Sequence, residues 1–148
     1  MIGRFEVFTL GLSEIMSSWN KIAADEMSAF GLKGTYVIYL IALYKHQEGL
    51  TSANLSEMCN RDKAEVSRAI KALESKGLIV RENTTVNGYR AKITLTQQGR
   101  EATKTLRERV KLAVEKGGDG LTEEQRESFY NALEIISANL KKISKEGL

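Results

Sequence analysis

The 148-residue chain holds one cysteine and one histidine, and so lacks most of what covalent, redox or metal chemistry needs. A lone Cys59 excludes an intrachain disulfide and fits a reducing compartment. There is no Gly-rich phosphate loop, no metal-spaced cluster of His, Cys, Asp and Glu, and no serine motif suited to a nucleophile. No catalytic residue, metal ligand or cofactor is expected. His46 ends a predicted helix, where the helix dipole favours an imidazolium. Long apolar runs are also missing, since residues 36–44 are far too few to span a bilayer. The start M-I-G-R-F-E-V-F-T-L has neither the basic beginning nor the apolar stretch of a signal peptide, so a cytoplasmic protein without a membrane partner is expected.

Charge of one sign is scarce as well, with a formal net charge of only +3, but it is unevenly placed. Residues 50–96 carry eight basic side chains (Arg61, Lys63, Arg68, Lys71, Lys76, Arg81, Arg90, Lys92) against five acidic ones. Residues 97–117 carry six against three, which leaves the remainder net acidic. A positive field concentrated on one stretch suits nucleic acid, and a solvated charged helix would equally account for residues 97–117.

Within the basic stretch, residues 51–96 read as helix, tight turn, helix and hairpin. Thr51 or Ser52 can cap a first short helix whose apolar stripe is Ala53, Leu55, Met58 and Cys59. Asn60 tolerates the left-handed backbone that ends helices, and Asp62 can cap a second helix from Lys63, with Glu65 completing a capping box. In that second helix Val66, Ala69, Ile70 and Leu73 fall at i, i+3, i+4 and i+7, which turns Ala64, Ser67, Arg68, Lys71 and Ser75 outward. Small residues let the backbone approach a groove, while Arg68 can bridge guanine bidentately or clamp a phosphate and Lys71 suits a phosphate oxygen. Gly77 ends the helix with Lys76 in its last turn. Residues 78–80 and 91–96 read as strands joined by an Asn87-Gly88 turn, and the polar tip between them, with Arg81, Tyr89 and Arg90, has the make-up of a wing.

The runs L-S-E-M-C-N-R-D-K-A-E-V-S-R, A-L-E-S-K-G-L-I-V-R and A-K-I-T-L-T-Q-Q-G-R resemble those of the MarR family, the multiple-antibiotic-resistance regulators of bacteria and archaea, and the likeness covers nearly the whole chain. Its members share an acidic residue and Lys before the recognition helix, a hydroxyl residue and Arg within it, and Leu-Thr followed by Gly after the wing. Here these are Asp62, Lys63, Ser67, Arg68, Leu95, Thr96 and Gly99. The resemblance implies a dimeric DNA-binding transcriptional regulator, commonly a repressor released by a small ligand or an oxidant. Two positions depart from it. The wing reads Asn87-Gly88-Tyr89-Arg90 where the family usually carries Asp and Arg, so its minor-groove arginine is either Arg90 shifted by one position or missing. Glu65 stands where a small hydroxyl residue is common, and can repel phosphate, accept from a cytosine amino group or complete the capping box.

Both ends of the chain carry heptad seams: Phe8, Leu12, Ile15, Trp19 and Ile22, then Phe129, Leu133, Ile136, Leu140 and Ile143. Such seams pair most simply with a second copy, although they could also cover the protomer's own core. A mainly α (α+β) fold follows, a winged helix-turn-helix with N- and C-terminal dimerisation helices. It is expected as one domain over residues 1–148, with dimerisation helices at 1–31 and 97–148 and the winged lobe at 32–96. The expected function is homodimeric, sequence-specific binding of double-stranded DNA at an inverted-repeat operator, with residues 63–76 in the major groove and the wing, 81–92, on the minor groove or backbone. The expected contacts are Ser52, Lys63, Ala64, Glu65, Ser67, Arg68, Lys71, Tyr89, Arg90 and Lys92. By the resemblance, a small aromatic or phenolic effector would meet Trp19, Phe30, Tyr36 and Tyr39, aromatics whose spacing also suits core packing. The alternatives are a winged-helix protein-interaction module and a redox sensor acting through Cys59.

Overall fold

The computed structural model describes residues 3–82 and 91–148; the predicted Asn87-Gly88 turn, Tyr89 and Arg90 lie outside the described residues. The chain is mostly helical with a two-stranded antiparallel sheet, as the periodicities predict. Its order is α1 (Arg4–Met27), 3-10 turns at Ser28–Phe30 and Gly34–Tyr36, α2 (Val37–Lys45), α3 (Ser52–Cys59), α4 (Lys63–Ser75), β1 (Ile79–Glu82), β2 (Lys92–Leu95), α5 (Gln97–Gly117) and α6 (Glu123–Glu146). Two compact units divide it, Met1–Glu108 and Arg109–Leu148. No single helix among the described residues is long and apolar enough to cross a membrane.

The chain has no proline, so its helix ends rest on caps and left-handed residues. Thr51 caps α3 in a reciprocal box: its hydroxyl accepts from the Asn54 amide at 3.1 Å, and the Asn54 side chain accepts from the Thr51 amide at 3.0 Å. Asn60, at φ 58°, closes α3 as the Arg61 amide turns back to the Ser56 carbonyl at 3.1 Å. Gly77, at φ +73°, closes α4 the same way, with the Leu78 amide on the Leu73 carbonyl at 3.1 Å. Helix α4 ends at Ser75, so Lys76, expected in the last turn, is the residue just past it.

The second predicted box is only half formed. Asp62 caps α4 by accepting from the Glu65 amide at 2.8 Å, but no bond returns from the Glu65 side chain to the Asp62 amide among the described residues. Glu65 instead borders a notch that Lys33, Arg61 and Arg68 also line. Asp62→Ala should still lower stability by about 1 kcal/mol through the lost cap, read as a shifted urea midpoint at unchanged slope.

Burial confirms the inward face of α4, where Val66, Ala69, Ile70 and Leu73 join Leu40, Leu43, Leu55, Leu78 and Ile93 in the core of the first unit. It corrects the stripe of α3: Leu55 and Cys59 are buried, but Ala53 and Met58 are exposed. A helix of two turns offers one narrow i, i+4 strip to its neighbours, and Leu55 and Cys59 fill it. In the sheet Ile79 pairs with Leu95 and Glu82 with Lys92, close to the predicted strands. A third edge, unforeseen, comes from Leu50, which exchanges two backbone bonds with Ile93 at 3.0 and 2.8 Å. At the other end of the unit, Gly34 lets the turn before α2 touch α1, since a Cβ there would lie 2.5 Å from the Ala24 nitrogen.

In the second unit the Arg126 guanidinium donates to the Glu115 and Gly118 carbonyls at 3.3 and 3.0 Å and holds the turn between α5 and α6. A Thr122–Gln125 capping box opens α6. No residue of 109–148 is buried, and the α6 seam stands open, from Ile143 at 37% to Phe129 at 49% exposed.

Candidate nucleic-acid interface

Helix α4 is fixed from behind by its four buried apolar residues and from its start by the Asp62 cap, so its outer side is presented as a rigid surface. Lys63, Ala64, Ser67, Arg68, Lys71 and Ser75 are all exposed. Among the described residues none of Lys63, Arg68 and Lys71 is in an ion pair. Arg81, by contrast, is held on β1 by Glu74 of α4 at 3.3 Å, which ties the first strand to that helix. The Thr96 hydroxyl adds a second tie, donating to the Gly77 carbonyl at 2.6 Å and accepting from the Gly99 amide at 3.0 Å.

Two hollows flank α4. A cleft of about 620 Å³ is bordered by Ser52 and Asn54 at the start of α3, by Lys63 and Ser67 on α4, and by Arg81. A notch of about 330 Å³ is bordered by Lys33, Thr35, Tyr36, Tyr39, Arg61, Glu65 and Arg68. The structure therefore gathers Ser52, Lys63 and Ser67 on one side of the helix and Glu65 and Arg68 on the other, with Ala64 and Lys71 exposed along it. Lys92 is exposed on β2. Tyr89 and Arg90 fall among the residues not described. Sequence reasoning counted Arg61 among the basic residues without giving it a role, and it passed over Lys33 and Thr35. Their only sequence signal was that Arg61 follows the helix-ending Asn60 and that Lys33 and Thr35 precede an apolar helix.

The aromatic residues expected at a ligand site separate. Tyr36 and Tyr39 form a tilted pair with ring centroids 6.2 Å apart and border the notch. Trp19 and Phe30 are half-buried, and neither lines either hollow. Burial raises the Tyr39 hydroxyl above its ordinary pKa. Cys59 is buried against α2, with its sulfur 4.0 Å from the Ile38 carbonyl. Burial pushes its thiol up and Arg61 offsets this only in part, so it is poorly placed to form a reactive thiolate. His46 Nδ1 lies 3.2 Å from Glu48. The Glu48 carboxyl is held below its ordinary value first by its own backbone amide and then by His46.

Residues 30–88 match the MarR family. A curated relative, the uncharacterized HTH-type transcriptional regulator YdgJ of Bacillus subtilis strain 168, is 26% identical over 104 residues. That alignment takes in 70% of this chain but only 63% of the relative's own length. A MarR transcriptional regulator of Methanosarcina mazei Go1 superposes with a TM-score of 0.84 at 21% identity, covering 97% of this chain and 94% of that one. A MarR-family regulator of Listeria monocytogenes, solved in complex with 26mer DNA, gives 0.84 at 22% identity and 94% coverage of both. These relatives are regulators rather than enzymes. Residues 30–88 are thus similar in sequence to the MarR family, and over nearly its whole length the chain has the winged-helix fold of the MarR-family structures it superposes on.

Proposed function

We propose that this protein is a homodimeric, sequence-specific DNA-binding transcriptional regulator, a repressor released by a small ligand. The observation that carries the reading is the outer side of α4. Lys63, Ser67, Arg68 and Lys71 stand exposed on a helix whose other side is locked in the core, and their cations have no ion-pair partner among the described residues. Such a helix fits the major groove, with side chains reading base edges and cations meeting phosphates. The Listeria relative in complex with DNA supports the same use of the fold. The open seams on α1 and α6 support a second copy, because apolar stripes of this length are rarely left to solvent. Two α4 helices related by a two-fold axis would meet successive major grooves about 34 Å apart, so the operator would be an inverted repeat. The wing around Lys92 would lie on the minor groove or backbone. The Tyr36–Tyr39 pair offers an aromatic wall for an effector, which releases DNA only as far as it prefers the geometry that does not bind.

The test starts from an operator selected by the protein out of random duplexes. Arg68→Ala should weaken binding to it by about 1–3 kcal/mol, roughly five- to 150-fold, and relax preference at one base position. Lys71→Ala should weaken selected and random duplexes alike and flatten the salt dependence by about one unit of slope. If both variants bind as the parent does, α4 is not the reading helix.

A further inference from the structure

We infer that the notch formed by Lys33, Thr35, Arg61 and Arg68 is a second backbone-phosphate site, which holds the DNA strand on the far side of α4 from the wing. The inference rests on the DNA-binding reading and adds to it residues outside both the recognition helix and the wing.

The argument begins with angles. At about 100° per residue, the α4 positions that border the larger cleft, Lys63, Val66, Ser67 and Ile70, centre on one flank of the helix. Glu65 and Arg68, which border the notch, centre about 180° away. Ala64, Lys71 and Ser75 fall midway between, opposite the buried face. A helix lying in a major groove about 12 Å wide has a phosphate strand on each flank. The cleft side, with Ser52, Lys63 and the base of the wing, faces one strand. The notch then faces the other.

Its chemistry suits an oxyanion. Lys33, Arg61 and Arg68 come from three separate segments, the run before α2, the turn before α4, and α4 itself, and converge on a hollow of about 330 Å³. Among the described residues none of the three is in an ion pair, although the Glu65 carboxylate borders the same hollow. Thr35 adds a hydroxyl. Arg68 belongs both to the reading face and to the notch, and so couples phosphate grip to base reading. Glu65 opposes the bound phosphate and limits how tightly any sequence is held.

The experiment measures affinity for the selected operator and for a random duplex across a salt series. For Lys33→Ala/Arg61→Ala the slope of log affinity against log salt should fall by about one to two, with roughly tenfold or greater weakening on both duplexes and unchanged sequence preference. Glu65→Gln should do the reverse, tightening both duplexes about fivefold, a gain that damage to the fold cannot produce. A double variant with the parent's slope and affinity overturns the phosphate site while leaving the reading helix standing. A Glu65→Gln protein that binds no better, or that changes base preference, assigns Glu65 to base reading and also overturns it. A parent protein that never distinguishes the selected operator from random DNA defeats the underlying DNA-binding reading instead.

Discussion

Ile136→Asp should convert the proposed dimer to a monomer and abolish operator binding at concentrations where the parent is saturated. Ile136 lies at the centre of the α6 seam and is 40% exposed, with Leu133 and Leu140 open on either side of it. Covering such a side chain is worth about 1.5–3 kcal/mol, and a two-fold interface counts each substitution twice. The dimer should therefore lose roughly 3–6 kcal/mol, or about two to four orders of magnitude in dissociation constant, before the cost of burying a carboxylate is added. Sedimentation equilibrium across a concentration series reads this directly. An unchanged dissociation constant would place the interface elsewhere, and a parent that stays monomeric would remove the dimer from the reading. The effect is expected to be this large because no residue of 109–148 is buried, so covering the seam would supply most of the apolar burial this segment can gain.

Gly99→Ala should be the most damaging small substitution in the first unit. A Cβ at Gly99 would sit 1.9 Å from the Leu78 carbonyl oxygen and 2.9 Å from its carbon, so backbone meets backbone and no side-chain rotamer relieves the clash. The overlap falls at a junction. The Thr96 amide donates to that same Leu78 carbonyl at 3.0 Å, and the Thr96 hydroxyl links Gly77 to the Gly99 amide. Alanine is the better helix former by about 1 kcal/mol, so a loss here runs against propensity and reports the contact. Overpacking of this kind costs about 3 kcal/mol or somewhat more, leaving a net loss near 2 kcal/mol and a melting temperature lower by about 4–8 °C. Gly117→Ala, at the last residue of the same helix, meets nothing within 4 Å and should leave stability unchanged or raise it by up to about 1 kcal/mol. Equal melting temperatures for the two variants would mean that α5 does not depend on this contact. The contact also gives a physical reason for the Leu-Thr-then-Gly pattern at Leu95, Thr96 and Gly99 by which the chain resembles the MarR family.

Much of α4 was legible in the sequence because its causes are local. The left-handed Asn60, the Asp62 cap, the 3.6-residue spacing of Val66, Ala69, Ile70 and Leu73 and the closing Gly77 act within a few residues of themselves, and together they set where α4 starts, which side it buries and where it stops. The seams of α1 and α6 were visible for the same reason.

Other features depended on distant parts of the chain. Whether Ala53 and Met58 were covered depended on how many neighbours a two-turn helix could meet, and Glu65 borders the notch with Lys33, Arg61 and Arg68 without returning a bond to the amide of Asp62. The Leu50 bridge to Ile93 and the Gly99 approach to Leu78 each join residues that periodicity does not relate. By itself the sequence determined the two short helices and their turn, the outward face of the second and the spacing of the two seams, since spacing and capping are properties of a single segment. The notch was decided only by the tertiary structure, because residues 33, 61 and 68 lie on three separate segments that only the fold brings to one hollow.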